Sequence, residues 1–331
     1  MSVPRILAAT ALGAATVLAI AGCTAAPAAP TQSPAASVVS VEDNNGTQKI
    51  PTPPTSVVAT DNRTFQTLSE WGIELTAAAV ALMPETVSYK KDEKILDLGN
   101  HIEPKLETVV AAEPDLIING QRFTQYHDDF VKLVPNATVL ELDPRDGQPL
   151  DEELRRQITV LGEIFGKQKE ADKLVADFDK AIDRAKSAYQ KSDKVMAVTT
   201  SGGKIGYIAP TVGRTLGPVF DLLGMTPALQ MPEGSSNHKG DDVSVEAIAT
   251  SNPDWILVMD RDASFSAQDR EASFKPAAEV LESSEALAGV TAIQKKQVVY
   301  MPADTYLNEG IQTYTTFLND LADALEKSAK S

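Results

Sequence analysis

An internal duplication constrains this chain more than any other feature. Residues 113–122 read EPDLIINGQR and residues 252–261 read NPDWILVMDR. In both, Pro-Asp leads into a short apolar run, and an arginine falls at the same offset, Pro114 to Arg122 and Pro253 to Arg261. The match continues upstream, where Glu107 in LETVVAAEPD and Glu246 in VEAIATSNPD each lie seven residues before their proline. An apolar-periodic stretch that stops at a proline, followed by a short continuous apolar run, predicts a helix, a turn and a buried strand. A chain carrying that unit twice is expected to build two lobes on one plan.

The remaining pattern agrees with that plan. VVSVEDNNGTQKIP alternates on both sides of Asn45-Gly46 and predicts a hairpin. Strands are expected at PTSVVAT, LIING and ATVLEL, with helices at RTFQTLSEWGI, PKLETVVAAEPD and DEELRRQITVLGEIFG. The stretch from Gln168 to Gln190 has no Gly or Pro, and its apolar residues follow helical spacing. It is expected to form one long helix joining two lobes. After it the alternation restarts with strands at KVMAVTTS and WILVMD, and AIQKKQVVYM leads into another strand. The helices of this half are expected at RTLGPVFDLLG, VSVEAIATSNPD and IQTYTTFLNDLADALEKS. Alternating β and α gives the fold class: α/β, two lobes with central, mostly parallel sheets, and a ligand cleft between them.

The N-terminus predicts export. Arg5 precedes an uncharged run through Gly22 that has the shape of a secretory leader and ends in IAGC. Cys23, the only cysteine in the chain, follows a small-residue pair and reads as a lipidation site. A single cysteine also excludes an intramolecular disulfide. The Ala/Pro/Ser-rich stretch that follows is expected to be a solvated tether. The expected organisation is a signal peptide over 1–22, an anchored tether over 23–38, a first lobe over 39–166, a linking helix over 167–192 and a second lobe over 193–331. Removing the leader with Arg5 takes the formal net charge from −16 to −17, which argues against nucleic acid as a partner.

In open α/β sheets, ligands sit beyond the carboxyl ends of the strands. Arg122 and Arg261 both fall just past such an end, so two facing lobes would bring both guanidiniums to one cleft. The competing reading is that each arginine pairs a local carboxylate, such as Asp262 beside Arg261. No nucleophile elbow, metalloprotease helix, C-x-x-C or phosphate-cradling glycine loop is present, and the three histidines, His101, His127 and His238, are scattered. An exported enzyme working through carboxylates is therefore the different-class alternative to a binding protein.

The chain resembles the substrate-binding proteins of ABC iron–siderophore importers, in the branch that takes up ferric catecholates. PETVSYKKDEKILDLGNHIEPKLETVVAAEPDLIINGQR carries the resemblance in the first half, and VGRTLGPVFDLLG, SSNHKGDDVSVEAI, NPDWILVMDR and PADTYLNEG carry it in the second. The resemblance implies a ligand-binding set of Arg122, Arg214 and Arg261, with His238 and Tyr306 as iron ligands where the siderophore leaves coordination sites open. Guanidinium suits such a complex because it is always charged, weakly hydrated and planar. The family places its histidine directly before a glycine, whereas Lys239 here separates His238 from Gly240. Ligation and an exposed loop histidine both stand as readings of His238, as do ligation and rim packing for Tyr306. The resemblance further implies that Glu107 and Glu246 dock on a permease dimer with its ATPase. An acid in a helix's first turn also complements the helix dipole, with Ser244 as N-cap before Glu246. A monomeric, lipid-anchored extracytoplasmic receptor follows, with no intrinsic cofactor and a ligand that carries Fe(III). Haem or cobalamin is the alternative cargo.

Overall fold

The computed structural model describes residues 37–330 apart from Pro232 and Glu271; the leader, Cys23 and most of the expected tether lie outside them. A hairpin opens the described fold. Strands β1 (Ser37–Asp43) and β2 (Gly46–Thr52) pair antiparallel from Ser37↔Thr52 to Asp43↔Gly46. Its turn residues are Asn44 and Asn45, one place earlier than the Asn45-Gly46 expectation, because Gly46 enters β2 with φ +114°. Ser37 and Val38, read as tether, are already paired strand.

The first lobe runs β3 (Val57–Ala59), α1 (Phe65–Glu70), β4 (Ala77–Ala78), β5 (Leu96–Asp97), α2 (Leu106–Ala112), β6 (Leu116–Asn119), α3 (His127–Leu133) and β7 (Thr138–Glu141). Its sheet has the order β5-β4-β3-β6-β7 and every pairing is parallel. The chain leaves β3 first toward one edge and then returns on its other side at β6, so the switch point lies between those two strands. Helices α4 (Leu150–Phe165) and α5 (Gln168–Ala188) follow.

The second lobe runs β8 (Lys194–Ser201), β9 (Lys204–Ile208), α6 (Gly217–Leu223), β10 (Thr226–Pro227), α7 (Val245–Ser251), β11 (Trp255–Asp260), α8 (Ala277–Glu282), α9 (Thr291–Gln294), β12 (Val298–Tyr300) and α10 (Ile311–Ser328). The order β10-β8-β11-β12 is parallel, and β9 pairs antiparallel with β8. The helix expected from Arg214 starts only at Gly217, with Pro218 in its first turn. A start at Arg214 would put that proline inside the helix, where its ring meets the carbonyl four residues back. Arg214 therefore sits on the turn before α6.

The duplicated unit is duplicated in three dimensions. Helices α2 and α7 have seven residues each and close on left-handed residues, Glu113 at φ 45° and Asn252 at φ 43°. The aspartate of each Pro-Asp then ties the unit to the entry of its neighbouring strand. Asp115 accepts from Thr55 N at 2.7 Å and Ser56 N at 3.1 Å, just before β3, and Asp254 accepts from Lys194 N at 2.8 Å, at the start of β8.

Helix α5 spans 21 residues, roughly 32 Å at 1.5 Å per residue. It buries Ala171, Phe178, Ala181, Ile182 and Ala185. Against α4 the approach is close, since a Cβ on Gly162 would fall 2.7 Å from the Ala171 side chain. Against α10, Arg184 forks onto Glu326 at 2.8 and 2.9 Å and also meets Asp323. The C-terminal helix reaches back to the first lobe as well, where Gln312 Nε2 donates to Thr67 Oγ1 of α1 at 2.9 Å.

Candidate functional site

The segments that follow β3 and β6 line a cleft together with segments of the second lobe. One part of it is bounded by Thr60, Asn62, His101, Arg122, Arg214 and Tyr306, and an adjoining part by Arg63, Arg122, Arg214 and His238. Gly120 at the end of β6 has to be glycine, because a Cβ there would lie 2.5 Å from the Asp61 side chain. Gln121 then takes φ 56° and starts a 3₁₀ turn that carries Arg122. Arg122 is exposed, and its Nη1 donates to His101 Nε2 at 3.0 Å. Burial and then Arg122 itself lower the His101 pKa, which keeps that ring a neutral acceptor.

Tyr306 lies between the two arginines of the second lobe. The Arg214 guanidinium carbon is 4.7 Å from its ring centroid and that of Arg261 is 4.6 Å away. Both are within the range of an attractive cation–π contact. Phe265 packs beside Tyr306 at 5.7 Å and also faces Arg261 at 5.0 Å. The His238 ring stands 6.4 Å from that of Tyr306. Burial, followed by Arg261, Arg122, Arg214 and Lys239, lowers the His238 pKa, so all three predicted arginines act on this one imidazole. The inserted Lys239 does not turn His238 away from the cleft. Gly240 N donates to Asn237 O at 2.9 Å, which makes His238 and Lys239 the central pair of a turn with glycine in its last position. Gly240 itself fits against β9 only without a side chain, as a Cβ would meet Gly206 backbone at 2.7 Å.

Two of the arginines also have carboxylate partners, as the competing reading expected for Arg261. Arg261 Nη1 donates to Asp262 Oδ1 at 2.8 Å. Arg214 forks onto Glu309 through Nε at 3.0 Å and Nη2 at 2.9 Å. Thr215 Oγ1 donates to the same carboxylate, and Arg63 of the first lobe stands 3.6 Å from it. Burial pushes the Glu309 pKa up, but Arg214 and then Arg63 outweigh it and hold it at about 2. Arg63 continues to Asp143 at 3.1 Å. Sequence reasoning missed Arg63, His101 and Glu309. Arg63 follows β3 as Arg122 follows β6, so the strand-end rule that found one could have found the other. Nothing in the sequence marks the pairing of Arg214 with a residue 95 positions away.

Glu107 and Glu246 are both exposed, each the second residue of its helix and away from the cleft lining. Ser244 Oγ caps α7 by accepting from Ala247 N at 3.1 Å. Among the described residues, no group of three or more His, Cys, Asp or Glu could hold a metal ion, and no helix is long and apolar enough to cross a membrane.

A family model described as periplasmic binding protein matches residues 57–305. The petrobactin-binding protein YclQ of Bacillus subtilis is 29% identical over 290 residues, covering 86% of each chain. The ferric-anguibactin-binding protein FatB of Vibrio anguillarum is 28% identical over 226 residues, covering 67% of this chain and 69% of its own. The crystal structure of YclQ aligns with a TM-score of 0.74 at 26% identity, over 88% of this chain and 99% of that one. The periplasmic catecholate-siderophore binding protein VctP of Vibrio cholerae aligns with a TM-score of 0.74 at 21% identity, over 86% and 99%, which is a likeness of fold.

Proposed function

We propose, from the premise that the chain belongs to the periplasmic binding protein family whose model spans residues 57–305, that it is an extracytoplasmic receptor for a ferric siderophore of catecholate or mixed catecholate type. It delivers that complex to an ABC permease and performs no chemistry on it. The reading is carried by Arg122, Arg214, Tyr306 and His238 lining one cleft, with Arg261 stacked against the ring of Tyr306. Ferric catecholates are anionic and present flat aromatic faces, and guanidinium can donate to their oxygens and stack on their rings. Tyr306 and His238 offer a phenol and a neutral imidazole, donors that suit Fe(III) where the siderophore supplies fewer than six. The relatives named for petrobactin and ferric anguibactin support this cargo class. Glu107 and Glu246, exposed at equivalent places on the two lobes, are the proposed permease contacts. A lipid on Cys23 is the proposed anchor, and the receptor is proposed to act as a monomer.

Titration of the intrinsic fluorescence of Trp71 and Trp255 with ferric catecholates, ferric hydroxamates, haem and cobalamin tests the proposal. Saturable quenching by ferric catecholates is expected. Each lost charged hydrogen bond should cost ~1.5–3 kcal/mol, roughly ten- to hundredfold in affinity. Unchanged affinity in the Arg122→Ala, Arg261→Ala double variant would sink the site assignment, and a preference for haem or cobalamin would replace the cargo.

A further inference from the structure

The second lobe brings its guanidiniums to the cleft already matched to carboxylates. Arg214 is forked onto Glu309, which is 1% exposed, and Arg261 is bonded to Asp262, which is 3% exposed. Arg63 bridges Asp143 and Glu309. Of these cleft arginines, Arg122 differs in that its partner, His101, is neutral. Below about pH 7, where Asp61 beside Arg63 keeps its proton, the described residues set four guanidiniums against three carboxylates and leave one positive charge around Tyr306 and His238.

We infer that this cleft selects ferric complexes carrying about one net negative charge over those carrying three, and that Glu309 is the residue that sets the preference. The inference rests on the ferric-siderophore reading above. Iron(III) held by two catecholates carries one negative charge and keeps two coordination positions open; held by three, it carries three negative charges and is saturated. A complex drawn into the cleft loses water, and each charge left without a counter-charge there is costly. One surplus guanidinium matches the first complex and leaves the second under-compensated.

Glu309 rather than Asp262 is assigned this role because of what else each carboxylate holds. Asp262 accepts from Ser201 Oγ at 3.2 Å and Gly202 N at 2.5 Å, so it also builds the turn between β8 and β9. Glu309 holds Arg214, Thr215, the neighbouring Arg63 and, at 3.4 Å, the amide of Gln121, all of them side chains at the cleft, and each of its oxygens is held. It therefore cancels Arg214 without touching the ligand. Glu309→Gln keeps the shape and removes the charge.

Association constants are measured by fluorescence quenching on the purified chain for three iron(III) complexes. These are a tetradentate bis-catecholate with one negative charge, a hexadentate bis-catecholate mono-hydroxamate with two, and a hexadentate tris-catecholate with three. In wild type, affinity should fall in that order, and the two hexadentate members separate charge from open coordination sites. In Glu309→Gln the ratio of tris- to bis-catecholate association constants should rise by at least about fourfold, the effect in water of one removed charge about 10 Å from two extra ones, and by more than about a hundredfold at the effective dielectric constant of a protein site. A merely structural role would lower all three together and leave the ratio alone, which would overturn the assignment. Equal wild-type affinity for the two hexadentate complexes would overturn the charge preference even if the variant does not fold. Binding of none of the three would instead remove the ferric-siderophore reading, and this inference with it.

Discussion

Replacing Asp61 with asparagine should change how stability depends on pH. Asp61 follows β3 beneath the cleft and is 0% exposed. Its Oδ1 accepts from Arg63 N at 2.9 Å and its Oδ2 from Gln157 Nε2 at 3.0 Å. Burial and then the Asp143 carboxylate push its pKa to about 7, against the pull of Arg63, while an unfolded aspartate titrates near 3.8. The native state therefore keeps a proton that the unfolded state has released. Its contribution to stability is fully present below 3.8 and is lost as pH rises through about 7. The gap corresponds to at most about 4 kcal/mol at alkaline pH. Asparagine is neutral throughout and lacks this loss. A flip of the Gln157 amide would let its Oε1, buried without a partner, accept from the asparagine nitrogen. Guanidinium chloride melts followed by the fluorescence of the buried Trp71 and Trp255, from about pH 5 to about pH 8.5, measure the effect. Wild type should lose ground to Asp61→Asn from about pH 5 until about pH 7 and keep a constant deficit above it. Glu309 and Glu153, both held at about 2, contribute stability that is lost only as pH falls below their unfolded values, so they do not mask the trend. Parallel profiles for the two proteins would refute the reasoning.

Three further outcomes are expected. If Tyr306 ligates iron, the charge-transfer band of a ferric bis-catecholate should shift on binding to wild type and not to Tyr306→Phe; Tyr306→Leu should lose a further ~1–2 kcal/mol of affinity because Arg214 and Arg261 lose their shared ring face. Glu107→Ala combined with Glu246→Ala should abolish uptake by cells and leave ligand affinity unchanged, whereas normal uptake would return both acids to a helix-dipole role. Arg122→Ala should weaken binding without moving the melting temperature, while Arg214→Ala, which strips the buried Glu309 of its bidentate partner, should also cost about 3 kcal/mol of stability; equal stability of the two variants would contradict the pairing.

The elements that the sequence marked clearly are those whose signal is local. Gly166 closes α4 in a left-handed conformation, Ser244 caps α7, and the breaker-free run from Gln168 gives α5. The elements it did not mark are short or tertiary in origin. Strands β4 and β5 have two residues each, too few to show any periodicity, and exist because β3 offers an edge to β4 and β4 offers one to β5. Of the site, Arg122, Arg261 and Tyr306 were legible because strand ends and the resemblance pointed to them. The pairing of Arg214 with Glu309 was not, because it joins residues brought together only when the turn before α6 packs against the segment leading into α10.

The two copies of the duplicated unit share their frame and differ in their charge. Each keeps an exposed glutamate on its helix, a left-handed closing residue and an aspartate that secures the entry of the adjacent strand. These parts serve the architecture of each lobe, and equal lobes need equal frames. The arginines then diverge. Strand β6 stops after four residues, and its arginine stands exposed on a 3₁₀ turn against a neutral histidine. Strand β11 runs for six, and its arginine is bonded to the buried Asp262. Duplication alone would give two equivalent cations, and their repulsion across an empty cleft would oppose approach of the lobes. Neutralising the copy in the second lobe removes that repulsion and leaves Arg122 as the cation without a carboxylate among the three predicted to meet the ligand. The same carboxylates that let the cleft exist without its ligand thereby limit how much negative charge the ligand can carry.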